Sequence, residues 1–275
     1  MKTLAVVGSS GAGKTTLIER LVDRLDERGS VATIKHLDHA PDIDTHGKDT
    51  DRHRAAGAAV TYGIDDEGWF ATGDARDLDG ILDELTPDHD YAIVEGFSSH
   101  RLPAVALGDR DHAGHELATA PDADGIDLDA VCAAIDDLEP RVTLESLVAA
   151  IKTAPNADRS GAIATFTGRV RTKDADDDAP TESLEFEAYE GVADERLAAI
   201  VDDLEARDGV QRVLAHHRTG VVAAGEDIVF VVVLAGHREE AFAAVSDGID
   251  RLKNEVPLFK KEVTADEQFW LHERG

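Results

Sequence analysis

The stretch Gly8-Ser-Ser-Gly-Ala-Gly-Lys14-Thr15-Thr16 constrains the fold more than any other part of the chain. It matches G-x-x-x-x-G-K-[ST] in full and follows Thr3 to Val7 (TLAVV), an apolar run suited to a buried parallel strand. An amphipathic helix continues from it, with Leu17, Leu21 and Leu25 on one face. The spacing has a chemical reason. Backbone N–H groups of Gly8, Ser9, Gly11, Ala12 and Gly13 can turn inward around phosphate oxygens, and Lys14 can reach the β- and γ-phosphates. Thr15 offers a hydroxyl to Mg²⁺, and the helix start at Thr16 adds a partial positive charge. Strand, loop, lysine and helix in that order exclude a chance glycine-rich turn and predict an α/β P-loop NTPase domain with a mostly parallel sheet.

Val31 to His36 reads as the next strand, followed by a long polar run rich in Asp, His and Gly. His36, His39, Asp42, Asp44 and His46 are conceivable metal ligands, but their spacing fits no specific metal signature. A loop around the nucleotide is the simpler reading, with Lys48 and Arg52 facing phosphate. Tyr91 to Val94 is a third strand and ends in Glu95-Gly96. Ligands gather at the carboxyl ends of parallel strands, so Glu95 is expected to approach Mg²⁺ or its water beside Thr15. Arg101 to Leu107 supplies another strand, and Leu128 to Leu138 a closing helix.

With 275 residues the chain has room for two domains, and the boundary is expected near 138 to 142, where Pro140 follows an acidic run. Its 57 acidic against 28 basic residues give a formal charge of −29, which disfavours nucleic acid and anionic membranes as partners. Spread evenly over ordinary apolar periodicity, that charge suits a folded protein hydrated in concentrated salt. The lone Cys132 excludes a disulfide framework and any cysteine-based zinc site. No run reaches the length of a membrane span, and a cytoplasmic protein is expected.

After the boundary the pattern changes to α+β. Leu144 onward is helical, Gly161 to Thr167 is a strand, and the acidic run Asp174 to Asp178 is a solvated loop. Leu184 to Tyr189 alternates as a half-buried strand, Ala193 to Leu204 is a helix, and Val210 to His217 is a strand. Asp227 to Leu234 (DIVFVVVL) is apolar enough to be a central strand. Phe242, Val245, Ile249 and Leu252 then recur at helical spacing over residues 238 to 254. Lysine is scarce, yet Lys253, Lys260 and Lys261 fall together at this helix end, with Pro257 turning the chain between them. Two ammonium groups at one mouth want an anion between them; alternatively they complement the helix macrodipole. His216 and His217 lie on a strand, where a structural role is expected.

GSSGAGKTT, IKH, the block DIDTHGKDTDRHRAAGA and IVEGF resemble the molybdopterin-guanine dinucleotide biosynthesis adaptor protein B family (MobB) over most of residues 1 to 138. The resemblance implies GTP binding with weak hydrolysis, and association with the guanylyltransferase of the molybdenum cofactor pathway. Guanine rests on resemblance alone, since this half has no N-K-x-D element. TFTGRVR, HHRTG, GEDIVFVVV, GHREEAF, RLKNEVPLFKKE and Trp270 are similar, in that order, to the catalytic large subunit of molybdopterin synthase (MoaE) over residues 142 to 275. That resemblance implies a hammerhead-type α+β fold, a homodimer, and a ubiquitin-like small subunit bearing a C-terminal thiocarboxylate. The implied reaction inserts two sulfurs into cyclic pyranopterin monophosphate to make the molybdopterin dithiolene.

Under that resemblance Lys253 and Lys260, with Arg171, are the catalytic cations; His237 and Arg238 hold phosphate, and Phe166 packs on the pterin or the partner's tail. With Cys132 in the other half, the sulfur is expected to arrive on a partner. Two rival readings remain: a P-loop kinase or ATPase with a ligand-binding second domain, and a non-enzymatic scaffold.

Overall fold

The computed structural model describes residues 1–39, 47–173, 179–189, 191–264 and 268–271. The chain divides into two compact units between Arg141 and Val142. In chain order the first unit comprises β1 (Lys2–Gly8), α1 (Lys14–Asp26), β2 (Val31–Lys35), α2 (Asp49–Ala55), β3 (Val60–Ile64), β4 (Trp69–Gly73), α3 (Leu78–Leu85), β5 (Tyr91–Glu95), β6 (Ala104–Leu107), β7 (Glu116–Ala120) and α4 (Leu128–Asp136).

Five parallel strands run in the order β2-β5-β1-β6-β7, so the strand preceding the glycine-rich loop is central. β1 is apolar on both faces because both are covered. On one face Leu17, Leu21 and Leu25 of α1 and Val131, Cys132 and Ile135 of α4 meet Leu4, Val6, Ile93 and Leu107. On the other, Leu78 and Leu82 of α3 meet Ala92 and Val94. Each of these fully buried leucines and isoleucines contributes about 2 kcal/mol of apolar transfer.

Two features depart from the sequence expectation. The polar run contains a short helix, α2, none of whose residues is buried. Beyond it, β3 and β4 form a separate antiparallel ribbon that was not anticipated. One face of this ribbon carries Val60, Tyr62, Ile64 and Trp69, all exposed, with the Tyr62 and Trp69 rings 6.2 Å apart.

The second unit comprises α5 (Leu144–Lys152), β8 (Ala162–Arg169), β9 (Thr181–Ala188), α6 (Val192–Glu205), β10 (Val210–His217), β11 (Gly220–Ala223), β12 (Asp227–Ala235), α7 (Arg238–Glu255), β13 (Leu258–Thr264) and β14 (Gln268–Leu271). A capping box opens it: Thr143 Oγ1 accepts from the Ser146 N–H at 3.1 Å and Ser146 Oγ accepts from the Thr143 N–H at 3.0 Å. All strand pairing is antiparallel, in a three-stranded sheet β10-β12-β8 and a four-stranded sheet β11-β9-β13-β14.

β12 is central, as its apolar run predicts, and the period of two divides it between two layers. Val229, Val231 and Val233 face α6 and α7, whereas Val232 and Leu234 face Ile151 of α5.

The buried stripe of α7 is Ala241, Ala244, Val245, Gly248, Ile249 and Leu252; it includes three of the four expected positions and extends toward Ala241 rather than Phe242. Small residues let the helix settle closely: a Cβ on Gly248 would lie 3.2 Å from both Leu204 and Val231. That rotation leaves Phe242 65% exposed, correcting its place in the stripe.

Candidate functional site

Two anion-seeking sites stand in the structure, one in each unit. The first follows β1. Gly13 caps α1 with φ 92°, a left-handed conformation open to glycine, and a Cβ there would meet the Ala123 methyl at 3.1 Å. At the other end of the loop, a Cβ on Gly8 would press on the Leu107 carbonyl at 2.6 Å. The sequence GSSGAG is what lets the backbone turn this tightly.

Lys14 Nζ donates to the carbonyls of Gly8 at 3.0 Å and Ser9 at 2.9 Å, which folds the ammonium back over its own loop. Glu95, at the end of β5, is only 13% exposed. It accepts from Thr15 Oγ1 at 3.4 Å and pairs with Lys35 Nζ at 3.1 Å. The chain leaves Glu95 through two left-handed residues, Gly96 (φ 91°) and Phe97 (φ 53°). The second is a strained choice for a residue with a side chain. The Phe97 ring stands edge-on between His36 at 4.9 Å and His100 at 5.3 Å.

For a magnesium ion these residues fit. A hydroxyl and a carboxylate converge beside a helix N-terminus, and phosphate oxygens and water would complete the hard-oxygen shell. Among the described residues no group of three or more His, Cys, Asp or Glu could hold a metal by itself. Of the polar run, Asp42, Asp44 and His46 lie outside the described residues. Lys48 is the exposed N-cap of α2, and Arg52 pairs with Asp49 at 3.5 Å. Neither makes a hydrogen bond or ion pair with the loop among the described residues.

The second site is a cavity of about 770 Å³ in the second unit. Phe166 and Arg169 of β8 line it together with Arg171, Lys253 of α7 and Lys260 of β13. Pro257 ends α7 and sends the chain back as β13, which is how two lysines seven positions apart reach one cavity. Lys260 lies directly opposite Phe186 of β9 in the register, and direct partners share a face. On the three-stranded sheet, His217, Val229 and Gly168 form one cross-strand row. A Cβ on Gly168 would lie 2.6 Å from Val229 Cγ1, so the TFTGR segment requires glycine between Phe166 and Arg169.

Arg169 is tied down, pairing with Asp227 at 3.2 Å and donating from Nε to the Gly225 carbonyl at 3.1 Å. Glu262, the one acidic side chain of the lining, accepts from Thr181 Oγ1. Lys261, pointing the other way, pairs with Glu185 at 3.3 Å.

His217 was expected to be structural, yet it lines the cavity. Burial holds its pKa below the usual imidazole value. Its neighbour His216 alternates to the opposite face, stacked on Phe230, and burial, with the charges of His217 and Arg218, lowers its pKa to about 4. Only strand register separates the roles of these two adjacent histidines.

His237 and Arg238 are not in the cavity. They begin α7, and Lys253 is near its end, roughly 22 Å away at 1.5 Å per residue. One chain therefore does not bring His237 and Arg238 to the same anion as Lys253 and Lys260.

The sequence matches the family described as molybdopterin guanine dinucleotide synthesis protein B (MobB) over residues 3–133 and the MoaE protein family over residues 139–255. A "probable molybdopterin synthase" of Haloferax volcanii is 55% identical over 98% of this chain and 99% of its own length. The molybdopterin synthase catalytic subunit of Yersinia pestis is 38% identical over 42% of this chain and 76% of its own. The crystal structure of Bacillus subtilis MobB is 26% identical, covering 48% of this chain and 97% of that one, with a TM-score of 0.38.

Proposed function

Because this chain belongs to the molybdopterin synthase family, with a MobB domain and a MoaE domain in one polypeptide, we propose that it performs sulfur transfer in molybdenum cofactor biosynthesis. The second unit is the enzyme. Its substrates are a small ubiquitin-like subunit carrying a C-terminal thiocarboxylate and cyclic pyranopterin monophosphate, and its product is the dithiolene of molybdopterin. The observation that carries this reading is electrostatic: a chain of net charge −29 gathers Arg169, Arg171, Lys253 and Lys260 around one cavity with a single acidic residue in its lining. Both reactants are anions, and cations held in a recess of low dielectric stabilise them and the charge that develops between them.

Lys253 and Lys260 face the thiocarboxylate and the reacting carbon, Arg171 takes phosphate oxygens, and Phe166 supplies an apolar wall. His237 and Arg238 complete a phosphate site from a second copy of the chain, which makes the functional unit a homodimer with two shared sites.

The first unit binds a nucleotide, GTP with Mg²⁺, and hydrolyses it weakly. Loop N–H groups and Lys14 would hold the phosphates, and Thr15 and Glu95 would hold the ion, directly or through water. The ion would neutralise phosphate charge and orient the terminal phosphoryl group. In this role the unit is an adaptor for the guanylyltransferase that acts later in the pathway. The site of action is the cytoplasm, consistent with the lack, among the described residues, of any helix long and apolar enough to cross a membrane.

The decisive experiment is reconstitution from purified chain, thiocarboxylated small subunit and cyclic pyranopterin. Dithiolene is expected from the wild type and from Lys14→Ala, with a loss of about 10³-fold in Lys253→Ala. Dithiolene formed at the wild-type rate by Lys253→Ala sinks the reading.

A further inference from the structure

We propose that His217 is a catalytic base of the second unit: it takes the proton from the water that frees the small subunit after each sulfur has been placed. This rests on the sulfur-transfer reading above. A thiocarboxylate that attacks carbon through sulfur leaves the donor joined to the pterin as a thioester. Turnover therefore requires water to cleave that bond, and water needs a base.

The cavity has few candidates. Arg169 and Arg171 carry guanidinium groups with no lone pair to take a proton, and the lysines are there to hold anions. Glu262 already takes a hydrogen bond from Thr181 Oγ1. His217 remains, and its tautomer is fixed. Nδ1 lies 2.7 Å from the Arg218 carbonyl oxygen, which can only accept, so Nδ1 carries the proton and Nε2 of the neutral ring carries the lone pair. Among the described residues no hydrogen bond reaches Nε2, and it is not one of the atoms sealed from solvent. In a residue that lines the cavity, that nitrogen opens onto it.

The ring is also held in place. It stands edge-on to Phe186 at 4.8 Å and 72°, and Phe186 is the direct cross-strand partner of Lys260. His217 and Lys260 thus share Phe186 as a common neighbour in the cavity lining. Charged and titratable groups face it from every wall of the cavity: Arg169 and Arg171 from the β8 side, Lys253 from α7, and Lys260 and Glu262 from β13. Burial outweighs the hydrogen bond to the Arg218 carbonyl and lowers the imidazole's pKa, so the base form is the one present at neutral pH.

The step balances. Nε2 removes one proton from water as its oxygen adds to the thioester carbonyl carbon. The tetrahedral oxyanion collapses, the C–S bond breaks, and the electron pair leaves with sulfur as a pterin thiolate beside the lysine ammonium groups. The small subunit departs as a carboxylate, its remaining proton and the one on His217 passing to solvent.

The test uses the full chain with thiocarboxylated small subunit and cyclic pyranopterin in single turnover. His217→Phe keeps a ring against Phe186 and loses the acceptor. It is expected to slow dithiolene release about 10²-fold and to accumulate a covalent small-subunit–pterin adduct, visible by mass and cleaved by hydroxylamine. In His217→Ala, added imidazole is expected to speed breakdown of that adduct, a rescue that a packing role would not give. Wild-type release by His217→Phe overturns the assignment, as does slow release with neither adduct nor imidazole rescue. A wild-type chain that makes no dithiolene overturns the sulfur-transfer reading itself, which is a different result from either.

Discussion

In the first unit one continuous loop, residues 8 to 16, carries the groups that would grip phosphate, and among the described residues Glu95 joins it from the end of β5. In the second unit the anion cavity takes Phe166 and Arg169 from β8, His217 from β10, Lys253 from α7 and Lys260 from β13. A contiguous site depends on backbone conformation, so its weak points are glycines. An assembled site depends on strand register and on where one helix stops. The first tolerates change in the surrounding fold and fails when one φ angle is denied. The second keeps its backbone through point changes and fails when one side chain is lost.

The largest effect should come from attacking each site by its own weakness. Gly13→Val forces a branched side chain into a left-handed position already 3.1 Å from Ala123. Nucleotide affinity, measured by calorimetry, is expected to fall 10²-fold or more, with dithiolene formation within twofold of wild type. Lys253→Ala should show the reverse. If Gly13→Val also lowers dithiolene formation by tenfold, the two sites are coupled and the contrast breaks down.

A second effect tests whether the assembled site spans two copies. Arg238→Ala and Lys253→Ala chains should each be nearly inactive. After the two are unfolded together and refolded, half the dimers are mixed and each has one intact site, so activity should return to about a quarter of wild type. Activity that stays near zero places Arg238 and Lys253 in separate functions.

Acid should weaken the second unit next. His216 has a folded pKa of about 4 against 6.5 when unfolded, because its ring is buried on Phe230. The folded state keeps the ring neutral, so on acidification the unfolded chain takes the proton first. Stability is full above about pH 6.5 and falls until about pH 4, by about 3 kcal/mol in all. His217, shifted the same way by burial, adds to the loss. Denaturant midpoints at pH 7 and pH 5 should therefore drop for the second unit, and His216→Phe should remove most of that drop. An unchanged midpoint in the wild type would mean that the ring is solvated in the fold.

How much of this was legible in the sequence follows from the same contrast. The cradle could be read because its residues are neighbours along the chain, and the central place of β12 because a strand buried on both faces is apolar throughout. The lysine pair was visible through its rarity in an acidic chain. His217 was not, because its face depends on pairing with Val229, and no local pattern states which strand β10 will choose. His237 and Arg238 sit near Lys253 in sequence, yet a straight helix carries them away at 1.5 Å per residue. The β3–β4 ribbon is harder to read because each strand is only five residues long and its alternating positions, Val60, Tyr62 and Ile64, sit directly after a polar run.

The smallest expected effect concerns the α7 stripe, where periodicity alone could not choose between two adjacent faces. Phe242, Val245, Ile249 and Leu252 share helical spacing, but so do Ala241, Ala244, Val245, Gly248, Ile249 and Leu252, and the second set is the one that is buried. Hydrophobicity favours the first because phenylalanine outweighs alanine. Packing favours the second, since small side chains let α7 approach Leu204 and Val231 closely. A Phe that is 65% exposed has already kept most of its contact with water, so little transfer energy is left to lose. Phe242→Ser should change the denaturation free energy of the second unit by no more than about 0.5 kcal/mol. Ile249→Ala, two turns along and buried, should cost about 3 kcal/mol. Equal losses at the two positions would restore the sequence-derived stripe and rotate α7, moving Lys253 away from the cavity on which the proposed chemistry depends.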